Sequence, residues 1–446
     1  MASITEQFAS NVKYSNFTKA TDLKSRLLFT ILALVVYRFG TYVPMPGINP
    51  EIMSEVYRQN SGGILAIFDM FSGGALGRMT VFALNIMPYI SASIIVQLMT
   101  AVFPHFEMLR KEGESGRKKL NQYTRYGTVF LGIMQAYGIS MGLEHMHSGI
   151  SSAVVEPGLV FRFTSVVTLV TGTLFLVWLG EQITSRGIGN GISLIIFSGI
   201  VANLPYSIVS TLELGRTGAL SVPFILFLSL MIVSVISFIV YVERAQRRIY
   251  IQYPKRQVGN KLFGGEASHL PLKVNTSGVI PPIFASSLLL LPVTIASLSG
   301  AKSSGILSSL ASHLSHGQIV YMFFYVLLIV FFSFFYTSIV FNPEETAENL
   351  RKYGAIVPGV RPGKSTADYF DYVITRLTVL GAAYLSFICI LPEVLIAKYS
   401  LSFYFGGTSI LIIVGVTIDT ITQVQTHLIS HQYEGILKRN RPKGQR

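Results

Sequence analysis

Long apolar stretches separated by short polar ones recur from Leu27 almost to the end of the chain. Taking about 20 apolar residues as one bilayer crossing, the pattern predicts ten helical spans, over 27–42, 79–102, 127–142, 161–181, 191–210, 221–241, 277–297, 318–340, 373–392 and 404–424. Ten crossings return both termini to the same side. One apolar stretch fits no span: FDMFSGGAL, 68–76, is too short to cross, too apolar for a solvated loop, and split by Gly73 and Gly74. Backbone that does not span is tolerated at membrane depth where protein or a water-filled cavity surrounds it, so a re-entrant half-helix is permitted here. The residues before Leu27 are polar and basic, and the apolar run that follows lacks a small-residue cleavage site, so a retained first span is expected rather than a removable signal peptide.

Composition agrees with this pattern. Half of the 446 residues are hydrophobic and 13% are charged, as in a polytopic membrane protein rather than a water-soluble domain. The one cysteine, Cys389, lies inside an apolar run and has no partner for an internal disulfide, which argues against redox chemistry and a secreted disulfide scaffold. Charge adds an orientation. Of the 35 Lys and Arg, 27 fall in 1–26, 103–126, 183–190, 242–277, 341–372 and 425–446, all on one side of the ten-span arrangement. The positive-inside rule places that side, with both termini, in the cytoplasm. These residues set topology and attract anionic lipid, yet 242–277 and 341–372 are longer than topology requires. A long basic loop of this kind can also dock an acidic partner or RNA.

Several stretches imitate chemical motifs. PGVRPGKS, 358–365, approaches a phosphate-binding loop, but Gly359 is one place too near, Pro358 stands at the required position and Pro362 removes a backbone donor; a rigid basic docking turn fits better. GIGNG, 187–191, joins two predicted membrane helices and follows no strand, so it reads as a tight cytoplasmic turn rather than a dinucleotide site. His427 and His431 share a helix face, but nothing around them completes a metal site, and no metal or other cofactor is expected. The acidic and basic residues in or near spans, Glu181, Glu243, Arg38, Arg376 and Asp419, fall near predicted helix ends and form no proton relay.

Two spans carry unusual features. In ALNIMPYISASIIVQLM, 83–99, Ile86 and Ile90 lie one helical turn apart, and on spacing alone they read as helix packing or lipid contact. Pro88 between them is expected to weaken the helix, and Ser91 and Ser93 add small polar groups. Span seven opens NTSGVIPPIFASS, an irregular polar start with two consecutive prolines, which suits a helix that moves or is lined by something polar.

FDMFSGGALGRMTVFALNIMPYISASII, KEGESGRKKLNQYTRYGT, WLGEQITSRGIGNGISLIIFSGIVANLP, LPLKVNTSGVIPPIFASS, FNPEETAENLRKYGAIVPGVRPGKST and FGGTSILIIVGVTIDTITQVQT occur in this order, and together they resemble the bacterial SecY family over nearly all ten spans and their cytoplasmic loops. The resemblance implies an all-α polytopic membrane protein forming one channel domain. Its ten transmembrane helices make two pseudo-symmetric five-helix halves, 1–210 and 211–424, with a cytoplasmic tail over 425–446. Unfolded polypeptide would cross the bacterial plasma membrane along its axis, and apolar segments would leave sideways into lipid between helices two/three and seven/eight. Implied partners are the small subunits SecE and SecG, the motor ATPase SecA, the ribosome, signal sequences, client chains and membrane lipids.

Carried over position by position, the resemblance implies a constriction ring of Ile86, Ile90, Ile196, Ile283 and Ile412, which displaces the packing reading of the first two. It makes the misfit segment a plug, a short helix within 62–76. Phe68, Met70 and Phe71 would seat it and Ser72, Gly73 and Gly74 would lead into the turn toward span two. Arg361 matches a motor-docking arginine, and Lys255 and Arg256 match residues that meet ribosome or motor. Leu291 and the Pro-Pro of span seven depart from common family residues, with consequences for how tightly the closed state is held. A secondary transporter would need a buried ion-coordinating site, and an intramembrane enzyme would need a catalytic constellation within the spans. The sequence offers neither, so no catalytic residue is assigned and a passive channel driven by partners is expected.

Overall fold

The computed structural model describes residues 21–59, 69, 72–144, 147–148, 151–218, 221–253, 256–258, 261–263, 267–298, 318–399 and 406–439. In chain order the helices are α1 Thr21–Gly40, α2 Pro50–Gln59, α3 Met87–Val102, α4 Pro104–Lys111, α5 Glu114–Glu144, α6 Leu159–Arg186, α7 Gly191–Arg216, α8 Val222–Arg244, α9 Ile280–Leu298, α10 Ile319–Val340, α11 Pro343–Lys352, α12 Lys364–Tyr399 and α13 Gly407–Arg439. Six short strands join them: β1 His147–Ser148, β2 Ser151–Ser152, β3 Gln246–Gln252, β4 Arg256–Val258, β5 Lys261–Phe263 and β6 Ala267–Lys273. Each predicted span contains a helix, although the second is helical only from Met87. By length and hydropathy alone, six helices among the described residues qualify as crossings, and a seventh does if α3 and α4, bent by 99°, count as one. α5 begins well before the predicted span and carries the polar ESGRKKLNQYTR, so a continuous helix runs from the basic loop into the apolar region.

α10 shows how these sequences make membrane helices. Its 22 residues are apolar around the whole circumference, and the buried positions Tyr321, Tyr325, Ile329, Phe332, Ser333 and Thr337 form one stripe at helical spacing. Phe323, Phe324, Leu327 and Phe331 face outward, where lipid tails replace water as solvent. The buried hydroxyls are satisfied within the helix: Ser333 donates to the Ile329 carbonyl at 2.7 Å and Thr337 to that of Ser333 at 2.8 Å.

The second span differs from expectation. Residues 79–86 are not helical, and Met79 and Asn85 adopt positive φ of 45° and 49°. α3 starts at Met87, so Pro88 stands in the first turn, where a missing N–H costs no helical bond, and does not weaken the helix as predicted. The non-helical stretch is tied to the chain leaving α1: Met45 N–H donates to the Met79 carbonyl at 3.0 Å and Val81 N–H to that of Val43 at 3.1 Å.

Contacts divide the chain into two compact units. The first comprises 1–93, 121–208 and 412–446, and the second 94–120 and 209–411. In the first, Met45, Met79, Leu84, Leu143, Val154, Phe161 and Leu169 form the largest part of one apolar core. Glu144, at the end of α5, accepts from Arg162 of α6 at 2.6 Å and from Gly158 N–H at 3.2 Å, which fixes the α5–α6 connection. Arg125 of α5 makes a two-pronged pair with Glu181 of α6, at 3.1 and 2.6 Å.

The α6–α7 turn is shaped by close approach. Asn190 Oδ1 caps α7 by accepting from Ile192 and Ser193 N–H at 3.1 and 3.3 Å. A Cβ on Gly191 would lie 1.9 Å from the Gly180 carbonyl oxygen, an impossible contact. Gly191→Ala is therefore expected to destabilise the protein by on the order of 1–3 kcal/mol through overpacking, against about 1 kcal/mol for loss of the cap in Asn190→Ala. Thermal unfolding of the detergent-solubilised protein measures both, and a midpoint in Gly191→Ala equal to wild type contradicts the close packing.

Candidate functional site

Four of the five neck candidates belong to the first unit. Ile86 immediately precedes α3 and Ile90 lies in its first turn, where Ile90 N–H donates to the Ile86 carbonyl at 3.0 Å. That bond places their side chains one turn apart on one face, as the spacing predicts. Ile196 lies on α7 and Ile412 on α13, and all four are buried. Ile283 is half-buried on α9 of the second unit.

Of the six plug positions, Phe68, Met70 and Phe71 lie outside the described residues. Ser72, Gly73 and Gly74 open a compact turn running to Thr80. Gly73 and Gly74 have φ of 67° and 85°, the left-handed region where a side chain is strained, and a Cβ on Gly73 would meet Gly199 Cα at 3.0 Å. Asp69 organises the turn: its Oδ1 accepts from Gly77 N–H at 2.7 Å and its backbone carbonyl from Gly74 N–H at 3.0 Å.

Two arginines hold this turn from outside. Arg38, in the last turn of α1, donates to the Gly73 carbonyl at 2.8 Å, and Arg78 donates to the Gly74 and Gly73 carbonyls at 2.9 and 3.3 Å. Both guanidinium groups lie over the Tyr42 ring, at 5.0 and 4.1 Å from its centre. The ring's negative face offsets the repulsion between two nearby cations. The sequence puts Arg38 near a predicted helix end and assigns no role to Arg78. Neither residue signals from its local sequence that it will reach back to a glycine carbonyl.

The two long basic loops fold together in the second unit. β3 and β6 pair antiparallel from Gln246↔Lys273 to Gln252↔Ala267. Gln252 and Ile356 then exchange both backbone hydrogen bonds at 2.9 Å, joining the first loop to the second. Ile249, Leu272, Ala347, Val357, Ala367 and Phe370 share one apolar core beneath them. Alternation along β3 turns Ile249 and Ile251 inward and Arg248 and Tyr250 outward. α11 is capped by Asn342, which accepts from Glu344 and Glu345 N–H at 3.1 and 3.3 Å, and Arg110 of α4 donates to the Ile339 carbonyl beside it.

Arg361 stands exposed on a turn bounded by Gly359 and Gly363, with φ of 84° and 102°. Thr366 Oγ1 donates to the Arg361 carbonyl at 2.8 Å and Thr366 N–H to that of Gly363 at 3.0 Å, while before it Val360 N–H donates to the Val357 carbonyl at 3.1 Å, so the backbone is bonded on either side of Arg361. Arg256 opens β4, and Lys255 lies outside the described residues. On the neighbouring helix α4, Glu107 accepts from Lys111 at 2.7 Å, and this bond first, then the charges of Lys111 and Arg110, hold its carboxyl below the ordinary value.

The SecY family model matches residues 80–421. The chain belongs to the SecY family. It is 57% identical to the protein translocase subunit SecY of Rickettsia conorii over 426 residues, covering 95% of this chain and 98% of that one. With the Escherichia coli K12 subunit of the same description it shares 53% over 424 residues, covering 95% and 96%. Among solved structures it is similar to a protein-conducting channel, with TM-score 0.68, 19% identity and coverage of 92% and 93%. It is also similar to Sec61 from a canine ribosome–channel complex, with TM-score 0.64, 18% identity and the same coverage. At these identities the solved structures establish the shared fold alone, a mostly helical one with several apolar helices.

The glycine turn has a testable energetic consequence. A hydrogen bond from a charged donor contributes about 1.5–3 kcal/mol, so Arg38→Ala is expected to speed amide exchange over 72–80 by roughly tenfold or more while α10 amides are unchanged. Exchange measured by mass spectrometry on the whole protein reads this directly, and equal protection in both proteins would remove Arg38 as a tether.

Proposed function

We propose that the protein is the pore-forming subunit of a protein-conducting channel in the bacterial plasma membrane, with both termini in the cytoplasm. Unfolded polypeptide passes through it, and apolar segments leave it sideways past α9 and α10. The observation that carries this reading is membership of the SecY family across most of the chain, with relatives described as translocase subunits. The five isoleucines form the constriction. Branched apolar side chains close loosely around any passing chain, and an empty apolar neck disfavours water and therefore ions. The segment ending in Ser72–Gly74 acts as the plug.

The chain supplies a conduit, and the driving force comes from a partner docked on the β3–β6 platform. SecA or a ribosome fits that role, with SecE and SecG as the companion membrane subunits. Support comes from the exposed Arg361 on a pre-formed turn, because an arginine already held in place loses little freedom on pairing with carboxylate or phosphate. The ribosome-bound canine relative shares the fold.

Two substitutions test these assignments separately. Ile90→Asn introduces a polar amide at the neck and is expected to raise resting ion conductance of reconstituted channels at least severalfold; unchanged conductance would exclude Ile90 from the constriction. Arg361→Glu reverses the charge at the platform tip and is expected to abolish stimulation of the motor's ATPase at unchanged channel abundance. Normal stimulation would take Arg361 out of the docking contact.

A further inference from the structure

The platform is continuous with the helix proposed to border the sideways exit. β6 ends at Lys273, the turn 274–279 follows, and α9 starts at Ile280. At the start of α9, Pro281 and Pro282 stand in the first turn, where a missing N–H costs no helical bond, and Ser286 and Ser287 both donate their hydroxyls to the Ile283 carbonyl, at 2.9 and 2.8 Å. The direction in which α9 leaves the platform is set by the turn before it.

That turn is organised by one side chain. Asn275 is 2% exposed, and its amide is bonded on both sides. Nδ2 donates to Glu243 Oε1 at 2.7 Å and to the Gly278 carbonyl at 3.1 Å, while Oδ1 accepts from Ser277 Oγ at 3.0 Å. Glu243 belongs to the last turn of α8, one residue before the chain leaves for β3. Val274 N–H also donates to the Ala245 carbonyl at 3.0 Å, which closes the base of the β3–β6 pair. On the other side, a Cβ on Gly381 of α12 would sit 3.2 Å from the Val274 carbonyl and 3.6 Å from Asn275 Oδ1, so α12 packs directly on the turn. Gly278 turns the chain into the helix with φ of 64°.

We infer that Asn275 and Glu243 are positioning residues for sideways release: their bond fixes the turn from which α9 departs, relative to α8 and to the docking platform. The Asn275 amide is buried, while Glu243 is half-buried, so the bond is shielded from water on the asparagine side and is stronger than a fully exposed one. Because both strands of the platform begin or end within a few residues of it, a partner pressing on β3–β6 shifts the same joint that aims α9. The pair thereby sets how apolar a passing segment must be before it leaves for lipid. This inference rests on the channel reading above.

The test uses model clients carrying one segment of graded leucine content, and reads the fraction inserted in the membrane in cells that depend on this protein. Asn275→Asp removes the donor and places a carboxylate against Glu243. It is expected to change the inserted fraction of the half-inserting segment at least threefold in odds. Adding Glu243→Gln restores a donor and acceptor in the opposite sense and is expected to recover most of that change. An unmoved threshold in Asn275→Asp, or a double variant no closer to wild type than the single one, would overturn the proposal. If Asn275→Asp does not accumulate, Glu243→Ala is read in its place against Glu243→Gln, which keeps an acceptor: the first is expected to move the threshold and the second to move it less, and equal values overturn the proposal. A wild-type protein with no leucine-dependent threshold would instead contradict the channel reading.

Discussion

The structure depends on one constraint: backbone N–H and C=O groups withdrawn from water need partners inside the protein. A regular helix meets it internally, which is why each apolar stretch of sequence becomes a helix. The constraint becomes demanding where the chain departs from a helix, at 72–86, at 187–190 and at 274–279. Each of these stretches is bonded by at least one residue from a distant element, some with help from a residue of the stretch itself. Arg38 and Arg78 serve the Gly73 and Gly74 carbonyls. Thr30 Oγ1 accepts from Ile188 N–H at 3.1 Å and Gln423 Oε1 from Gly189 N–H at 2.8 Å. Asn275 and Glu243 serve the third.

The platform on β3, β6, α11 and the start of α12 follows the ordinary rules of water-soluble folding. Strand alternation separates Ile249 from Arg248, the helix is capped by asparagine, and Glu344 and Glu345 sit at its N-terminal end with Arg351 and Lys352 at the other. Its exposed ion pairs, such as Lys352 with Glu348 at 3.3 Å, contribute little to stability. The apolar core around Phe370 holds it together, and its stability does not rest on the exposed arginines.

The sequence made the spans legible because apolar length is a direct consequence of bilayer thickness, and nine of the ten segments are helical over nearly their whole length, with the second helical only from Met87. The start of α3 was misplaced because an apolar stretch such as MTVFALNI gives the same signal whether it is helical or packed as irregular backbone; only Met79 and Asn85, with their positive φ, distinguish the two. Resemblance supplied the neck and docking residues, which composition and spacing leave as ordinary packing and surface charge. The partners of Gly73, Gly189 and Asn275 were not legible, since each bond joins residues far apart in sequence or reverses direction in a turn. The joining of two basic loops through Gln252 and Ile356 was hidden for the same reason.

Those long-range bonds also explain how unremarkable side chains acquire a defined position. An isoleucine has no directional chemistry, so nothing in Ile196 or Ile412 fixes where it stands. Ile196 lies a little over one turn after the Asn190 cap of α7, and Ile412 is on α13, upstream of Gln423. Gly189 N–H bonded to Gln423 joins those two helices, while Ile188 packs with Leu23 of α1 and Leu428 of α13. A short turn with its donors satisfied therefore holds the registers of α1, α7 and α13 at one end. Its two glycines are needed because the approach leaves no room: a Cβ on Gly187 would meet Thr30 Oγ1 at 2.5 Å, and one on Gly189 would meet Leu194 Cδ1 at 2.9 Å. In this unit, the placement of the isoleucines proposed for the neck derives from polar bonds and glycine contacts made elsewhere along the same helices.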